Sequence, residues 1–332
     1  IPVILAIQEK HVFDFKNKKE YLYFFIILPC MILSVVPIYV MQHLFGQTNL
    51  IFEAYGLVHF GWMIFLAGEI VALYYIFRRQ NQETKMVLLF VLSLSLIMQY
   101  LQMFSAISIN IERLPFQLCN LGSFFILLSL ITKNKHLFNF TVIINVIGVL
   151  FAVASPDLDG EGLFYLYNMH FILEHTNVLV IPILALLFGI FPRLDKTALK
   201  DCLLGFTIYF VCAWALGTTF NAIALKTGNS FWKANYLFMF DASKAVKLLG
   251  DGIGKLFVSF KIGYGTFYPA IQLIIYAVFM IVCFLLWLAI QFIYKLKDIK
   301  KDKKQKLAMV GESIANESVN AQEPETEKEN KK

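Results

Sequence analysis

The sequence predicts an all-α, polytopic transmembrane bundle of about eight spans with both termini in the cytoplasm. Three observations carry this. The chain is 58% hydrophobic and only 16% charged, against about 45–50% and about 25% for soluble domains. The apolar residues are clustered into runs of roughly the 20 residues that cross a hydrocarbon core. Cationic residues alternate between successive loops.

The elements follow in order. Residues 1–19 form a basic N-terminal segment carrying Lys10, Lys16, Lys18 and Lys19. The spans read as 20–42, 55–77, 86–107, 113–132, 138–154, 168–191, 201–225 and 267–294, which makes 20–294 the transmembrane domain. The fifth is the shortest. No small-residue exit site follows the first span, so that span is expected to be retained. Lipid-exposed backbone must satisfy its own hydrogen bonds, and runs this long and continuous suit helices rather than barrel strands.

Arg78, Arg79 and Lys85 follow the second span, Lys133 and Lys135 the fourth, and Arg193 and Lys196 the sixth. The intervening loops are poor in cations, and 155–167 is acidic with Asp157, Asp159 and Glu161. The positive-inside rule then sets both termini in the cytoplasm of a cell-membrane protein. The long loop 226–266 has six lysines, but long loops weigh little in that rule. From Lys295 the chain turns basic and then polar, "KLKDIKKDKKQK" before "GESIANESVNAQEPETEKENKK". Residues 295–332 read as a disordered cytoplasmic tail whose basic start can meet anionic headgroups.

There are five cysteines, Cys30, Cys119, Cys202, Cys212 and Cys283. Their odd count and the absence of CxxC spacing argue against a disulfide framework or a zinc ribbon. No Walker, Rossmann or EF-hand pattern stands out, so no cofactor is expected, and nucleic acid is not an expected partner. Membrane lipids are.

Polar groups inside a span are costly and default to functional candidates. The assigned orientation gives each a depth. Cys119 lies about 9 Å below the outer face, reckoned from Arg113 at ~1.5 Å per residue. Glu174 and His175 fall near the same depth, and His170 is shallower. His59, Gln99, Gln102, Asn120 and Asn221 also fall in the outer half, with Glu69 the main exception near mid-membrane. One outward-facing polar cavity accounts for this grouping, with His59, Gln99, Gln102, Asn120 and Asn221 as substrate-binding candidates.

Within "NMHFILEHTNV", His170 and Glu174 share a helix face at i,i+4, continued by Asn177. Two chemistries fit. Cys119 can be a nucleophile, with His175 or His170 as base and Glu174 or an Asn as orienter. Pro115 is then expected at the first helical position, which puts Cys119 in the second turn. Asn120 and Gln117 are candidate oxyanion donors. Alternatively His59, His170, His175 and Glu174 hold a metal that activates water. A transporter with the same cavity is a third reading, favoured by broken helices or inverted repeats. Cys30, Cys212 and Cys283 read as small apolar filler.

The stretches "RLPFQLCNLGSF", "FAVASPDLDG", "MHFILEHTNVL" and "SFWKANYLF" resemble the YwaF-like family of bacterial integral membrane proteins over roughly 50–290. The matching positions are Leu114, Pro115, Leu118 and Cys119, then Pro156 and Asp157, His175, and Asn235 with Tyr236. Gln117 stands where that family usually carries a His. The family is similar to an animal group described as cysteine-dependent phospholipid acyltransferases. The resemblance therefore implies lipid acyl transfer through Cys119 and His175, which makes Cys119, His175, Glu174 and His170 the expected catalytic set.

Overall fold

The computed structural model describes residues 50–106, 111–154, 162–241 and 251–322, with isolated positions at 40, 43, 44, 46, 156 and 158. Side chains at 102–106, 113, 166, 251, 304 and 306–322 are outside the description. The first span, the N-terminal segment, Asp157, Asp159 and Glu161 therefore lie outside the described residues, as do the side chains of Gln102 and Arg113.

The described chain is helical apart from short turns and one hairpin. Helix α1 is Leu57–Phe77, α2 Gln82–Ala106, α3 Leu118–Thr132, α4 Lys135–Ala154, α5 Leu166–Leu187 and α6 Lys196–Thr227. A four-residue helix, α7 (Asp251–Gly254), precedes an antiparallel hairpin of β1 (Phe260–Ile262) and β2 (Gly265–Phe267). Helix α8, Pro269–Gln322, follows. Six helices among the described residues are long and apolar enough to cross a membrane, namely α1, α2, α4, α5, α6 and α8. Helix α3 has 15 residues, about 22 Å of rise, short of a core about 30 Å thick.

Local chemistry sets the helix ends. Asn81 Oδ1 accepts the Thr84 N–H at 2.9 Å as α2 begins. Lys133 takes a left-handed backbone (φ 51°) after α3, and Asn134 Oδ1 accepts from His136 and Leu137 N–H to start α4. Asp195 caps α6 by accepting from the Thr197 and Ala198 N–H groups. Gly228, at φ 69°, ends it, as a residue without a Cβ does most cheaply.

Helices α2, α4 and α5 form the inside of the bundle, and α1, α6 and α8 expose most of their surface to the lipid side. The shortest run in the sequence is thus a full 20-residue helix at the core. Ile143, Ile144 and Ile147 of α4 are fully buried, and α4 packs against α3, α5 and α6. Small residues let the helices approach, since lipid offers no hydrophobic drive for association. The Phe140 ring fills the space that a Cβ on Gly205 would take, at 2.5 Å. At the basic end, Asp201 of α6 is tied to His136 at 2.9 Å and to Asn139 Nδ2 at 2.8 Å, both on α4.

Helix α8 passes from one compact unit, ending at Phe284, into a second that begins at Leu285. It continues to Gln322, where the sequence reading starts a structureless tail at Lys295. The physical reason is local. Lys, Gln, Ala, Glu and Met are good helix formers, and residues 295–322 contain no proline.

Candidate functional site

The stretch leading to Cys119 is not helical from Pro115 as expected. A 3₁₀ turn at Ile111–Arg113 is followed by a tight bend in which Phe116 N–H donates to Leu114 O at 2.6 Å. Gln117 is extended (φ −69°, ψ 144°), and α3 begins at Leu118 with no side-chain cap. Cys119 is therefore in the first turn, where backbone N–H groups lack intrahelical partners. The competing forces are long-range. Tyr236 Oη donates to Ile111 O at 2.6 Å, Tyr209 Oη to Phe116 O at 2.8 Å, and Gln117 Nε2 to Asn235 O at 3.4 Å.

Those anchors are themselves fixed. Asn235 Oδ1 accepts from the Phe240 and Asp241 N–H groups, and Asn221 of α6 both donates to Ala234 O and accepts from its N–H. Leu237 and Phe238 hold left-handed φ of 52° and 56°, an uncommon and costly state for such residues. Asn221 is thus occupied in shaping the 229–241 segment rather than free in a cavity.

Tyr209 lies about 20 Å along α6 from Lys196 at ~1.5 Å per residue. The bend that Tyr209 holds therefore lies beside the middle of a helix long and apolar enough to cross a membrane.

Glu174 of α5 is the centre of what gathers there. His170 Nε2 lies 3.0 Å from its Oε2. With its amide turned so that Nδ2 faces Glu174, the orientation its neighbours require, Asn120 donates across from α3 at 2.6 and 3.1 Å to the two carboxylate oxygens. Ser123 donates to Cys119 O at 3.2 Å and lies beside the carboxylate. His170, Glu174 and His175 are all buried. An ionisable pair in this setting is costly unless hydrogen-bonded, and Asn120 and His170 supply those bonds.

His175 Nδ1 lies 2.7 Å from Phe171 O. A carbonyl can only accept, so Nδ1 carries the proton and Nε2 the lone pair of the neutral ring. The orienting partner of His175 is this carbonyl, whereas Glu174 holds His170. The Cys119 thiol is half-buried and faces α4, with Sγ 3.0 Å from where a Cβ on Gly148 would stand. It is within electrostatic reach of Glu174 and Tyr209. No hydrogen bond joins it to either histidine.

The other candidates are elsewhere. His59 Nδ1 accepts the Tyr55 N–H at 2.9 Å, and its ring packs with Phe52 and Trp62. Trp62 donates to Thr176, so this group meets a different face of α5 from the one carrying Glu174. Gln99 is buried and donates only to Ser95 at 3.4 Å. Asn177 turns back to Leu173 O. The outer-half polar residues thus form a Glu174-centred cluster, a His59 group and an Asn221–Asn235 clamp, rather than the single cavity expected. The four-residue metal set does not assemble. Among the described residues no three His, Cys, Asp or Glu side chains converge on one point.

Sequence reasoning missed Ser123, Tyr209 and Gly148 as parts of this site. Ser123 had a signal, since it stands one turn after Cys119. Tyr209 and Gly148 had none, because each acts through a partner distant in sequence.

A bundle of membrane-crossing helices with a carboxylate and an imidazole buried between α3 and α5, beside a half-buried thiol, defines a polytopic integral membrane protein with an internal polar site. A model of the TMEM164 family matches residues 54–288, and the chain belongs to that family. The match covers every group in the Glu174 cluster. No curated protein and no solved structure matches the chain.

Proposed function

We propose that the protein is a lipid acyltransferase that uses Cys119 as nucleophile, and that it is a YwaF-like member of the cell membrane. The observation that supports this is the hydrogen-bonded Glu174 cluster beside a thiol on an uncapped helix start. A bundle scaffold does not require a carboxylate there. The resemblance of "RLPFQLCNLGSF" to relatives of cysteine-dependent acyltransferases points the same way.

The steps balance as follows. His175 Nε2 takes the Cys119 thiol proton as sulfur attacks the ester carbonyl carbon. The ester C–O bond breaks, and the proton passes to the departing lysolipid oxygen, leaving a thioester. An acceptor hydroxyl or amine then attacks the thioester while His175 takes its proton. The C–S bond breaks, and the sulfur recovers the proton. First-turn N–H groups of α3 serve the oxyanion in place of the Asn120 amide, which Glu174 occupies. Glu174 and His170 position the α3–α5 junction.

The test is acyl exchange between phospholipids in proteoliposomes, read by lipid mass spectrometry. The wild type is expected to carry a hydroxylamine-labile acyl group on Cys119. The variants C119A and H175A should lose exchange by more than about 100-fold. Full exchange by C119A overturns the proposal.

A second reading, solute transport, is favoured by one observation. Helix α3 is a short helix with an uncapped start at membrane depth, as in discontinuous transporter helices. Uptake that survives in C119A, with no exchange in the wild type, supports it.

A further inference from the structure

An open groove of about 400 Å³ runs along the Lys196 half of α6 beside Met280 of α8. Lys196 and Lys200 stand at its head, and Leu203, Leu204, Thr207 and Met280 line its length. The two lysines are four residues apart on one face of α6, so their ammonium groups share a side. The lining runs from Lys200 to Thr207, about 10 Å along the helix.

The two acids nearest the head are held by other partners. Asp201 is turned to α4, where His136 and Asn139 hold it. Asp195 accepts from Thr197 and Ala198 in the α6 cap. Among the described residues neither lysine forms an ion pair. At the far end the Thr207 hydroxyl is already engaged, bonding Leu203 O and Tyr276 Oη at 2.8 Å each.

We infer that this groove binds one anionic phospholipid, its phosphate between Lys196 and Lys200 and an acyl chain along Leu203, Leu204 and Met280. Charge complementarity names the occupant. An uncharged or zwitterionic lipid leaves two ammonium groups without a net anion, and a soluble anion leaves the apolar trough empty. Basic sites between helices on the cytoplasmic side are suited to such headgroups. The positive-inside reading gives the Lys196 end to that side. The site does not depend on the chemistry at Cys119.

The experiment is native mass spectrometry of the detergent-purified full chain, titrated with phosphatidylglycerol or phosphatidylcholine. The wild type should retain phosphatidylglycerol in preference. K196A/K200A should weaken it about 25-fold, about fivefold for each lysine, with phosphatidylcholine unchanged. K196R/K200R should keep the preference, and L203W should weaken it by filling the trough. K300A/K301A, on the later part of α8, serves as the control and should bind like wild type. Equal retention by K196A/K200A and wild type overturns the inference. So does displacement of phosphatidylglycerol by inorganic phosphate at matched ionic strength.

Discussion

Gly148→Ala isolates the position of the Cys119 thiol from the stability of the fold. The new methyl would stand 3.0 Å from Cys119 Sγ, and no other heavy atom outside its own helix lies within 4 Å. Ordinary heavy-atom contacts sit at about 3.5–4.0 Å, so the sulfur must retreat by about 0.5–1.0 Å. A glycine in mid-helix costs about 0.5–1 kcal/mol relative to alanine, and this part is recovered. Overpacking costs about 1–3 kcal/mol, and a thiol that can rotate should fall at the low end. The two nearly cancel, so the net change in stability should be within about 1 kcal/mol. A displacement approaching 1 Å at a reacting atom, by contrast, costs on the order of 100-fold in rate. The assay pairs a thermal unfolding midpoint with acyl exchange and with peptide-resolved labelling of Cys119 by a small disulfide reagent. A midpoint close to wild type with exchange reduced on the order of 100-fold is the expected result. Exchange at the wild-type rate, with the alanine verified, would refute the placement of the reactive sulfur against α4.

Tyr236→Phe should strand the Ile111 carbonyl that Tyr236 now satisfies at 2.6 Å. It should cost about 1–3 kcal/mol, read as a lower midpoint and faster proteolysis in 111–117. Gly217→Ala should destabilise by about 1–3 kcal/mol, because its Cβ would run into the Phe240 ring. Gly61→Ala, with nothing within 4 Å, should instead stabilise. Asp195→Ala should cost about 1 kcal/mol through loss of the α6 cap. The bonds from Thr197 hold the Asp195 carboxyl below its ordinary range. Its stabilisation is therefore complete above about pH 4, the unfolded value. It is lost as pH falls through the lower folded value, so the midpoint gap between variant and wild type should close there.

Much of the fold was legible because each membrane helix is a local event. An apolar run satisfies its own backbone, so α1, α2, α4, α5 and α6 could be read within a few residues of their ends. The misreadings came where long-range contacts or helix propensity outweighed composition. Pro115 suggested a helix start, but tyrosines from α6 and from residue 236 hold the chain bent until Leu118. The tail looked structureless because it lacks apolar period, yet its residues favour helix and α8 runs through it to Gln322. In the site, the i,i+4 spacing of His170 and Glu174 was readable from α5 alone. That Asn120 reaches Glu174, and that the base His175 is oriented by Phe171 O, depends on how α3 meets α5. Depth alone put His59 and Asn221 with that group. Depth is one coordinate of three, and both turned out to lie elsewhere around the bundle.

The bend ahead of Cys119 is held by groups that the ribosome makes much later. Tyr209, Asn235 and Tyr236 follow their partners by 93, 118 and 125 positions in the chain. A nascent chain that has inserted α1 to α5 already owns every group of the Glu174 cluster but has nothing to hold 111–117 in place. The arrangement around the thiol is completed only when α6 and the segment beyond it arrive. Partial chains trapped in the membrane carry the cysteine without its fixed surroundings, and only the finished bundle presents it in register with α5.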